Sequence, residues 1–174
     1  PAFRGCEKLQ TIVIPEGVER IEQGMFSDCI SLENVTLPNS LKIIDGSTFE
    51  NCTSLKTITL PNGIIEIGAN AFGGCTALSE ISLPESVVYI GASAFGNTAV
   101  YNDAKNWENS VLYMDGCLID SKREEIKGEY SVKEGTRIIA KQAFLRATGL
   151  ETLKLPEGLK VIGDAAFAEC ISLK

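Results

Sequence analysis

The hydrophobic residues of the chain follow a pattern of fixed length. An isoleucine stands five residues before each of the last six phenylalanines, and a proline stands eleven residues before five of them. The seven phenylalanines are Phe3, Phe26, Phe49, Phe72, Phe95, Phe144 and Phe167. Successive phenylalanines are 23 residues apart, except for one spacing of 49, which equals 23 plus 26. The pattern therefore predicts stacked 23-residue units with one insertion of 26 residues.

Each unit has the sequence of a short strand followed by a turn. Residues 55–61 read Leu-x-x-Ile-x-Leu-Pro, and their alternation of apolar and polar positions predicts a strand with one buried face. A turn with Gly or Ser follows the proline, and a second short extended segment ends at the isoleucine. Small residues then surround the phenylalanine, as in residues 68–72, which favours a 3₁₀ or single-turn helical corner.

A single unit of this kind cannot bury its own apolar positions, whereas a stack of units buries them continuously. The predicted fold is therefore a mainly β repeat solenoid with short parallel strands and 3₁₀ or short helical corners. We expect one domain over residues 1–174. Because the chain begins and ends inside a unit, we also expect a fragment of a longer solenoid, open at both ends and prone to end-to-end self-association.

The insertion comprises residues 101–126 and predicts a β-hairpin. Two apolar stretches, 111–114 and 117–120, flank Asp115-Gly116, and Asp-Gly is a strong local signal for a two-residue hairpin turn. A polar stretch then leads back to the repeat around Tyr130. We therefore expect the repeat to resume after the insertion.

The repeated motif resembles that of a known family. Leu-x-x-Ile-x-Leu-Pro followed by Ile-Gly-x-x-Ala-Phe-x-x-Cys is similar to the BspA-like (Treponema pallidum type) leucine-rich repeat, and units 55–77 and 150–172 match almost every position. The resemblance implies a leucine-rich repeat solenoid. It also implies a surface or secreted protein of a bacterium or parasitic protist that adheres to host proteins or other cells. Hairpin interruptions with a preceding tryptophan, as Trp107 is here, also occur in that family.

Composition and charge exclude several classes of function. The chain has 16 Lys and Arg against 23 Asp and Glu, a net charge of -7, so it lacks the basic surface that nucleic acids require. It contains no histidine, which removes the usual catalytic base and the most common metal ligand. No apolar segment reaches the length of a membrane span. We accordingly expect no nucleic acid partner, membrane insertion, metal, cofactor or enzymatic activity.

Five of the six cysteines occupy one position, three residues after a phenylalanine: Cys6, Cys29, Cys52, Cys75 and Cys170. In a secreted protein such a set forms disulfides, binds metal or remains as buried thiols. Because Thr98 and Ala147 fill the same position in other units, we favour buried thiols that act as small apolar residues. Cys117 lies in the predicted hairpin and is the candidate for an exposed thiol.

The outward side of the first strand in each unit is a candidate binding surface. Its residues are Thr11, Val13, Asn34, Thr36, Thr57, Thr59, Glu80, Ser82, Glu129, Ser131, Thr152 and Lys154. Six rungs at about 4.8 Å spacing form a face about 25 Å long. This face contains no Trp, Tyr or Arg, the residues that dominate binding hot spots. It is therefore either a low-affinity surface that depends on avidity or a threonine-rich ladder that maintains solubility.

A second candidate is the group of aromatic residues in and near the insertion: Tyr101, Trp107, Tyr113 and Tyr130. They form either a recognition patch or a small satellite core that fastens the hairpin to the solenoid. An isolated two-stranded hairpin is only marginally stable in water, which favours the satellite core.

The repeat pattern predicts a non-enzymatic repeat protein, and the family resemblance implies that it is an extracellular bacterial protein that binds proteins in adhesion. The expected partner is an extracellular protein of the host matrix, of plasma or of a neighbouring cell surface. The alternative is a rigid stalk that holds another domain away from the cell surface. An enzyme is disfavoured because the chain has neither a catalytic base of the usual type nor a Gly-rich oxyanion loop.

Overall fold

The computed structural model describes all 174 residues of the chain. It divides into two compact units, residues 1–104 and residues 105–174. Both are mainly β, with rungs that repeat at the 23-residue spacing, and the predicted solenoid is thereby confirmed. Helix is restricted to α1 (Ala99–Asn102) and a 3₁₀ segment (Ala104–Asn106). Neither helix is long and apolar enough to cross a membrane.

The first unit contains six short strands: β1 (Thr11–Val13), β2 (Arg20–Ile21), β3 (Asn34–Thr36), β4 (Ile43–Ile44), β5 (Glu66–Ile67) and β6 (Tyr89–Ile90). β1 pairs in parallel with β3, and an isolated parallel bridge joins Thr57 to Glu80 in the next two rungs. β2, β4, β5 and β6 form a parallel four-stranded sheet. Each rung thus contributes one extended segment to each of two sides of the solenoid.

Stacked phenylalanine rings form the core of the first unit. The rings of Phe3, Phe26, Phe49, Phe72 and Phe95 follow one another at centroid distances of 5.3, 5.5, 5.5 and 5.7 Å. Their planes lie within 5 to 11° of parallel. Four of the five are fully buried, whereas Phe3, in the first rung, is 39% exposed. A single residue type therefore supplies the continuous core that the repeat predicts.

The corners around each phenylalanine are successive turns closed by hydrogen bonds of the 3₁₀ type, such as those from the Cys52 amide to the Phe49 carbonyl and from the Glu50 amide to the Ser47 carbonyl. They are too short to count as 3₁₀ helices. In the rungs from Phe26 onward, the residue two positions before each phenylalanine and the residue two positions after it have left-handed backbone with positive φ. In the rung of Phe49 these residues are Ser47, at 56°, and Asn51, at 60°. The repeat pattern did not predict this feature.

The second unit contains seven strands: β7 (Trp107–Glu108), β8 (Val111–Met114), β9 (Cys117–Ser121), β10 (Gly128–Ser131), β11 (Ile138–Ile139), β12 (Leu150–Lys154) and β13 (Val161–Ile162). β10 and β12 form one parallel pair, and the other five strands form a mixed sheet in the order β13-β11-β9-β8-β7. The predicted hairpin is confirmed, because Asp115 and Gly116, with φ of 44 and 72°, join β8 to β9. A second turn at Asn109 and Ser110, with φ of 50 and 65°, joins β7 to β8 and was not predicted.

The hairpin forms part of the solenoid core rather than an appendage. β9 pairs in parallel with β11, which places Leu118 beside Ile139 in the isoleucine column. Val111, Leu118 and Ile126 are buried in one cluster with Phe144. This rung has no phenylalanine, and Ser121 stands 23 residues before Phe144. The ring of Tyr130, on β10 in the next rung, lies 5.4 Å from that of Phe144, tilted by 57°. The insertion thus replaces a regular rung with one built from hairpin residues.

All six cysteines are free thiols. Two expectations about their exposure are wrong. Cys117 is buried, because β9 lies in the middle of the five-stranded sheet and is flanked by β8 and β11. Cys6 is exposed, although it occupies the repeat position, because it lies in the first rung, which has a neighbour on one side only. The other four repeat cysteines are buried as predicted.

Candidate binding surface

Along the first strand of each rung, outward and inward side chains alternate, as the sequence predicts. In the first unit the residues between the outward ones, among them Ile58, point into the core and are buried or half-buried. The outward side chains are all exposed: Thr11, Val13, Asn34, Thr36, Thr57, Thr59, Glu80 and Ser82. We call this four-rung set the strand face.

The strand face is uncharged in its first three rungs and carries one carboxylate, Glu80, in the fourth. Val13 is 64% exposed and is the one aliphatic residue among the eight. A shallow depression lies between the second and third rungs and is lined by Val35, Thr36, Leu37, Asn39, Thr59 and Pro61. The face therefore offers hydroxyl, amide and small apolar groups in a surface that is elsewhere rich in charge.

The corresponding residues of the second unit, Glu129, Ser131, Thr152 and Lys154, are also exposed. They lie on β10 and β12, and the Lys154 ammonium is 2.9 Å from the Glu129 carboxylate. The expected face of six rungs is not one continuous ladder, because β1 and β3 form one sheet and β10 and β12 form another. The insertion interrupts the row, leaving four rungs in the first unit and two in the second.

The four aromatic candidates do not share one patch. Tyr113 and Tyr130 come together, with their hydroxyls 2.9 Å apart, and the Lys133 amide donates to the Tyr113 hydroxyl at 3.2 Å. Tyr130 is only 9% exposed, and burial raises the pKa of its phenol well above its usual range. The structure places Tyr130 in the core of the second unit, in one cluster with Phe144, so its ring packs inward rather than forming a recognition patch.

Trp107 and Tyr101 lie elsewhere. Trp107 is half-buried on β7, with the Lys122 ammonium 5.2 Å from the centre of its ring. Tyr101 belongs to the first unit, where it is half-buried in α1, and its amide donates to the Thr98 hydroxyl that caps this helix. Of this group, Trp107 and Tyr113 keep partly exposed rings with a lysine over each, since Lys133 lies 5.8 Å from the Tyr113 ring.

Ion pairs between neighbouring rungs dominate the rest of the surface. Arg20 binds Asp45 through two hydrogen bonds of 2.7 and 2.8 Å, and this contact raises the pKa of the guanidinium. The Asn51 amide donates to the Asp28 carboxylate at 2.9 Å and lowers its pKa. These pairs connect adjacent rungs, and each contributes little to stability because it is exposed to solvent.

The buried thiols are poor nucleophiles. Burial raises the pKa of Cys29 and of Cys117 to about 11. The Cys75 thiol and burial raise the pKa of Cys52 further. Each buried repeat thiol donates instead to a phenylalanine carbonyl one rung away, as from Cys52 to the Phe26 carbonyl at 3.2 Å. No group of three or more Cys, Asp or Glu side chains is arranged to hold a metal ion. The arrangement is suited to packing and surface contact.

Comparison with known proteins agrees with this architecture. The family model for the BspA type leucine rich repeat region matches residues 1–112 and 125–174 in six copies. No curated protein matches the chain. Among solved structures, a leucine-rich repeat protein of Treponema pallidum is 26% identical with a TM-score of 0.57, over 99% of this chain and 69% of that one.

A leucine-rich cell surface protein of Faecalibacterium prausnitzii is 29% identical with a TM-score of 0.51, over 99% of this chain and 48% of that one. A leucine-rich repeat protein of Eubacterium ventriosum, 21% identical with a TM-score of 0.50, shares the fold over 99% of this chain and 54% of that one. The matched repeats include the phenylalanine stack and both sets of strands. The chain therefore belongs to the BspA-type leucine-rich repeat family.

Proposed function

We propose that this chain is a non-enzymatic protein-binding module of a bacterial cell-surface protein, and that it contributes to adhesion. The observation that carries the proposal is the strand face: eight exposed side chains on four rungs, of which one is charged, in a chain with 39 charged residues. A face with a single charged residue on an otherwise charged surface is suited to contact with another macromolecule. The expected partner is an extracellular protein.

Two further observations support an extracellular, non-catalytic role. A similar solved structure is that of a leucine-rich cell surface protein. The buried thiols of Cys29, Cys52 and Cys170, whose pKa lies above its ordinary value, donate hydrogen bonds to backbone carbonyls. Neutral buried thiols stabilise a scaffold and supply no nucleophile.

The affinity of a single strand face is expected to be low. It lacks Trp, Tyr and Arg, so no residue of the usual hot-spot types anchors a partner. Four rungs at about 4.8 Å span about 15 Å, which is small for a face that contributes about 800 Å² to a standard interface. Adhesion through this face therefore depends on many copies acting together, as on a cell surface.

The proposal is tested with beads that carry many copies of the chain, incubated with a panel of extracellular matrix and plasma proteins at two salt concentrations. We expect capture of at least one protein by the wild type and its loss in Thr36→Arg, which places a large charged side chain at the centre of the strand face. Thr76→Arg is the matched control, because Thr76 is exposed outside the face. Absence of capture at high bead density, or equal capture by both variants, contradicts the proposal.

A structural stalk is the second candidate, favoured by the parallel phenylalanine stack and the ion pairs between rungs. A stalk needs stiffness but no binding face. If no panel protein is captured and the parent reading frame places a recognisable binding domain next to these repeats, the stalk is the better description.

A further inference from the structure

The strand face is complementary to a second copy of itself. Threonine, serine and asparagine side chains both donate and accept hydrogen bonds, so a surface made of them can pair with an identical surface. The outward residues of the two central rungs are of these types: Asn34 and Thr36 in the second rung, and Thr57 and Thr59 in the third. In a chain of net charge -7, two central rungs without charged outward side chains also bring two copies together with little repulsion.

The edge of the face carries opposite charges in neighbouring rungs. Glu33 precedes the second-rung strand residues and Lys56 holds the same position in the third rung, 23 residues later. Both side chains are exposed. Consider two faces related by a two-fold axis that runs parallel to the strands and passes between the second and third rungs. This axis reverses the order of the rungs in the second copy. The second rung of one copy then faces the third rung of the other, and the first rung faces the fourth.

In that arrangement Asn34 faces the second copy's Thr57, and Thr36 faces its Thr59. Glu33 then faces the second copy's Lys56, and by symmetry the pair occurs twice. In the outer rungs Val13 faces Ser82 of the second copy. Sheets that pack face to face with their strand directions within about 30° of each other occur in β-sandwiches. Charge complementarity at the edge and self-complementary groups at the centre thus favour the same geometry.

We infer that the strand face binds the strand face of a second copy of this chain, with the rungs of the two copies in opposite order. Adhesion then includes contact between identical molecules on neighbouring surfaces. This inference rests on the proposed function and identifies its partner. The contact is weak because the face is small and because Glu16 and Glu85, at the opposite edge, approach each other across the two copies. An interface well below about 1,200 Å² in total is typical of transient association.

Self-association is measured by sedimentation equilibrium of the chain from about 10 µM to about 1 mM, the range expected for a small transient interface. We expect reversible dimerisation of the wild type near the upper end of this range. Thr36→Glu combined with Thr59→Glu sets carboxylates against carboxylates and should abolish it. Thr76→Glu combined with Thr53→Glu adds the same charge at exposed positions outside the face and should leave it intact.

A charge exchange tests the geometry. Lys56→Glu alone sets Glu against Glu at both edge pairs and should weaken dimerisation by about threefold to tenfold, the value of two exposed ion pairs. Adding Glu33→Lys restores opposite charges and should return the dissociation constant to within about twofold of wild type. Thermal unfolding of each variant, unchanged from wild type, verifies that the chain is folded.

A wild type that remains monomeric at about 1 mM overturns the inference. Dimerisation that persists in the Thr36 and Thr59 double variant also overturns it, since the contact then uses another surface, such as the ends of the solenoid. Failure of the charge exchange to restore binding overturns the reversed-rung geometry. If bead capture of an extracellular protein succeeds while self-association fails, this inference falls and the proposed function stands.

Discussion

Removal of one phenylalanine ring from the middle of the stack should destabilise the protein far more than removal of the ring at its edge. Phe49 is fully buried, and its ring lies 5.5 Å from the rings of both Phe26 and Phe72. Phe3 contacts the single ring of Phe26 at 5.3 Å and is 39% exposed. The variants Phe49→Ala and Phe3→Ala delete the same atoms, so their difference isolates the effect of position in the stack.

The magnitude follows from burial and from ring contacts. A buried Phe→Ala substitution costs about 3–5 kcal/mol, including the cavity it leaves. Within that figure, two ring pairs account for about 0.5–1.5 kcal/mol each. Phe3→Ala loses one ring pair and a smaller area, and leaves an open notch rather than a closed cavity, so we expect about 1–1.5 kcal/mol. The predicted difference between the variants is therefore about 1.5–4 kcal/mol.

The assay is equilibrium unfolding in urea followed by far-UV circular dichroism, with the slope of the transition compared among wild type and variants. Equal slopes are required, because repeat proteins can lose cooperativity when one rung is weakened. Losses within about 0.5 kcal/mol of each other would show that the stack is not the continuous core described above.

Three more predictions concern single residues. Gly68→Ala should destabilise by about 1–3 kcal/mol, because its Cβ would collide with the Gly46 amide nitrogen. Gly73→Ala, whose Cβ would meet no atom closer than 3.4 Å, should change stability by less than about 0.5 kcal/mol; both are measured by urea unfolding. In a titration with a thiol reagent at mildly alkaline pH, Cys6 alone should react in the folded protein and all six thiols after unfolding, because burial protects the rest. Rapid modification of a second thiol in the folded protein contradicts this. Tyr130→Phe should cost about 1 kcal/mol through loss of the hydroxyl pair, and Tyr130→Ala about 3–5 kcal/mol because it empties the core position beside Phe144. Equal melting temperatures for these two variants would show that the ring is not a core element.

The repeat was predictable from the sequence because its core uses one large residue per rung. A column of phenylalanines that recurs every 23 residues indicates stacking, and the alternation around Ile58 fixes which strand residues face outward. The hairpin turn was predictable for a local reason, since Asp115 and Gly116 adopt the positive φ that a two-residue turn requires.

The exposure of the cysteines was harder to predict, because it depends on which strands become neighbours. Cys117 lies in a hairpin, but its burial follows from the parallel pairing of β9 with β11, to which no local signal points. The core role of Tyr130 could have been recognised, since this residue occupies the inward strand position that Ile12 and Val35 hold in other rungs. An inward position in the repeat is sufficient reason to assign the ring to the core.

The left-handed corner residues show a partial signal. Two residues after the phenylalanines of the first unit stand Gly5, Asp28, Asn51, Gly74 and Asn97, the residue types that tolerate positive φ. In the second unit the same positions hold Arg146 and Glu169, which have no such preference. Their side chains form an ion pair of 2.8 Å between rungs. Stacking on the neighbouring rung imposes the backbone conformation there, and this influence is not visible in a single unit.

The claim that the strand face is the binding surface is tested most directly by nuclear magnetic resonance of the chain labelled at its threonine methyl groups. Threonines occur on the face, at Thr11, Thr36, Thr57 and Thr59, and away from it, at Thr48, Thr76 and Thr98. On addition of the protein captured by the beads, or on raising the concentration of the chain itself, we predict that the methyl signals of the face shift and the others stay in place. Shifts confined to threonines outside the face would contradict the account.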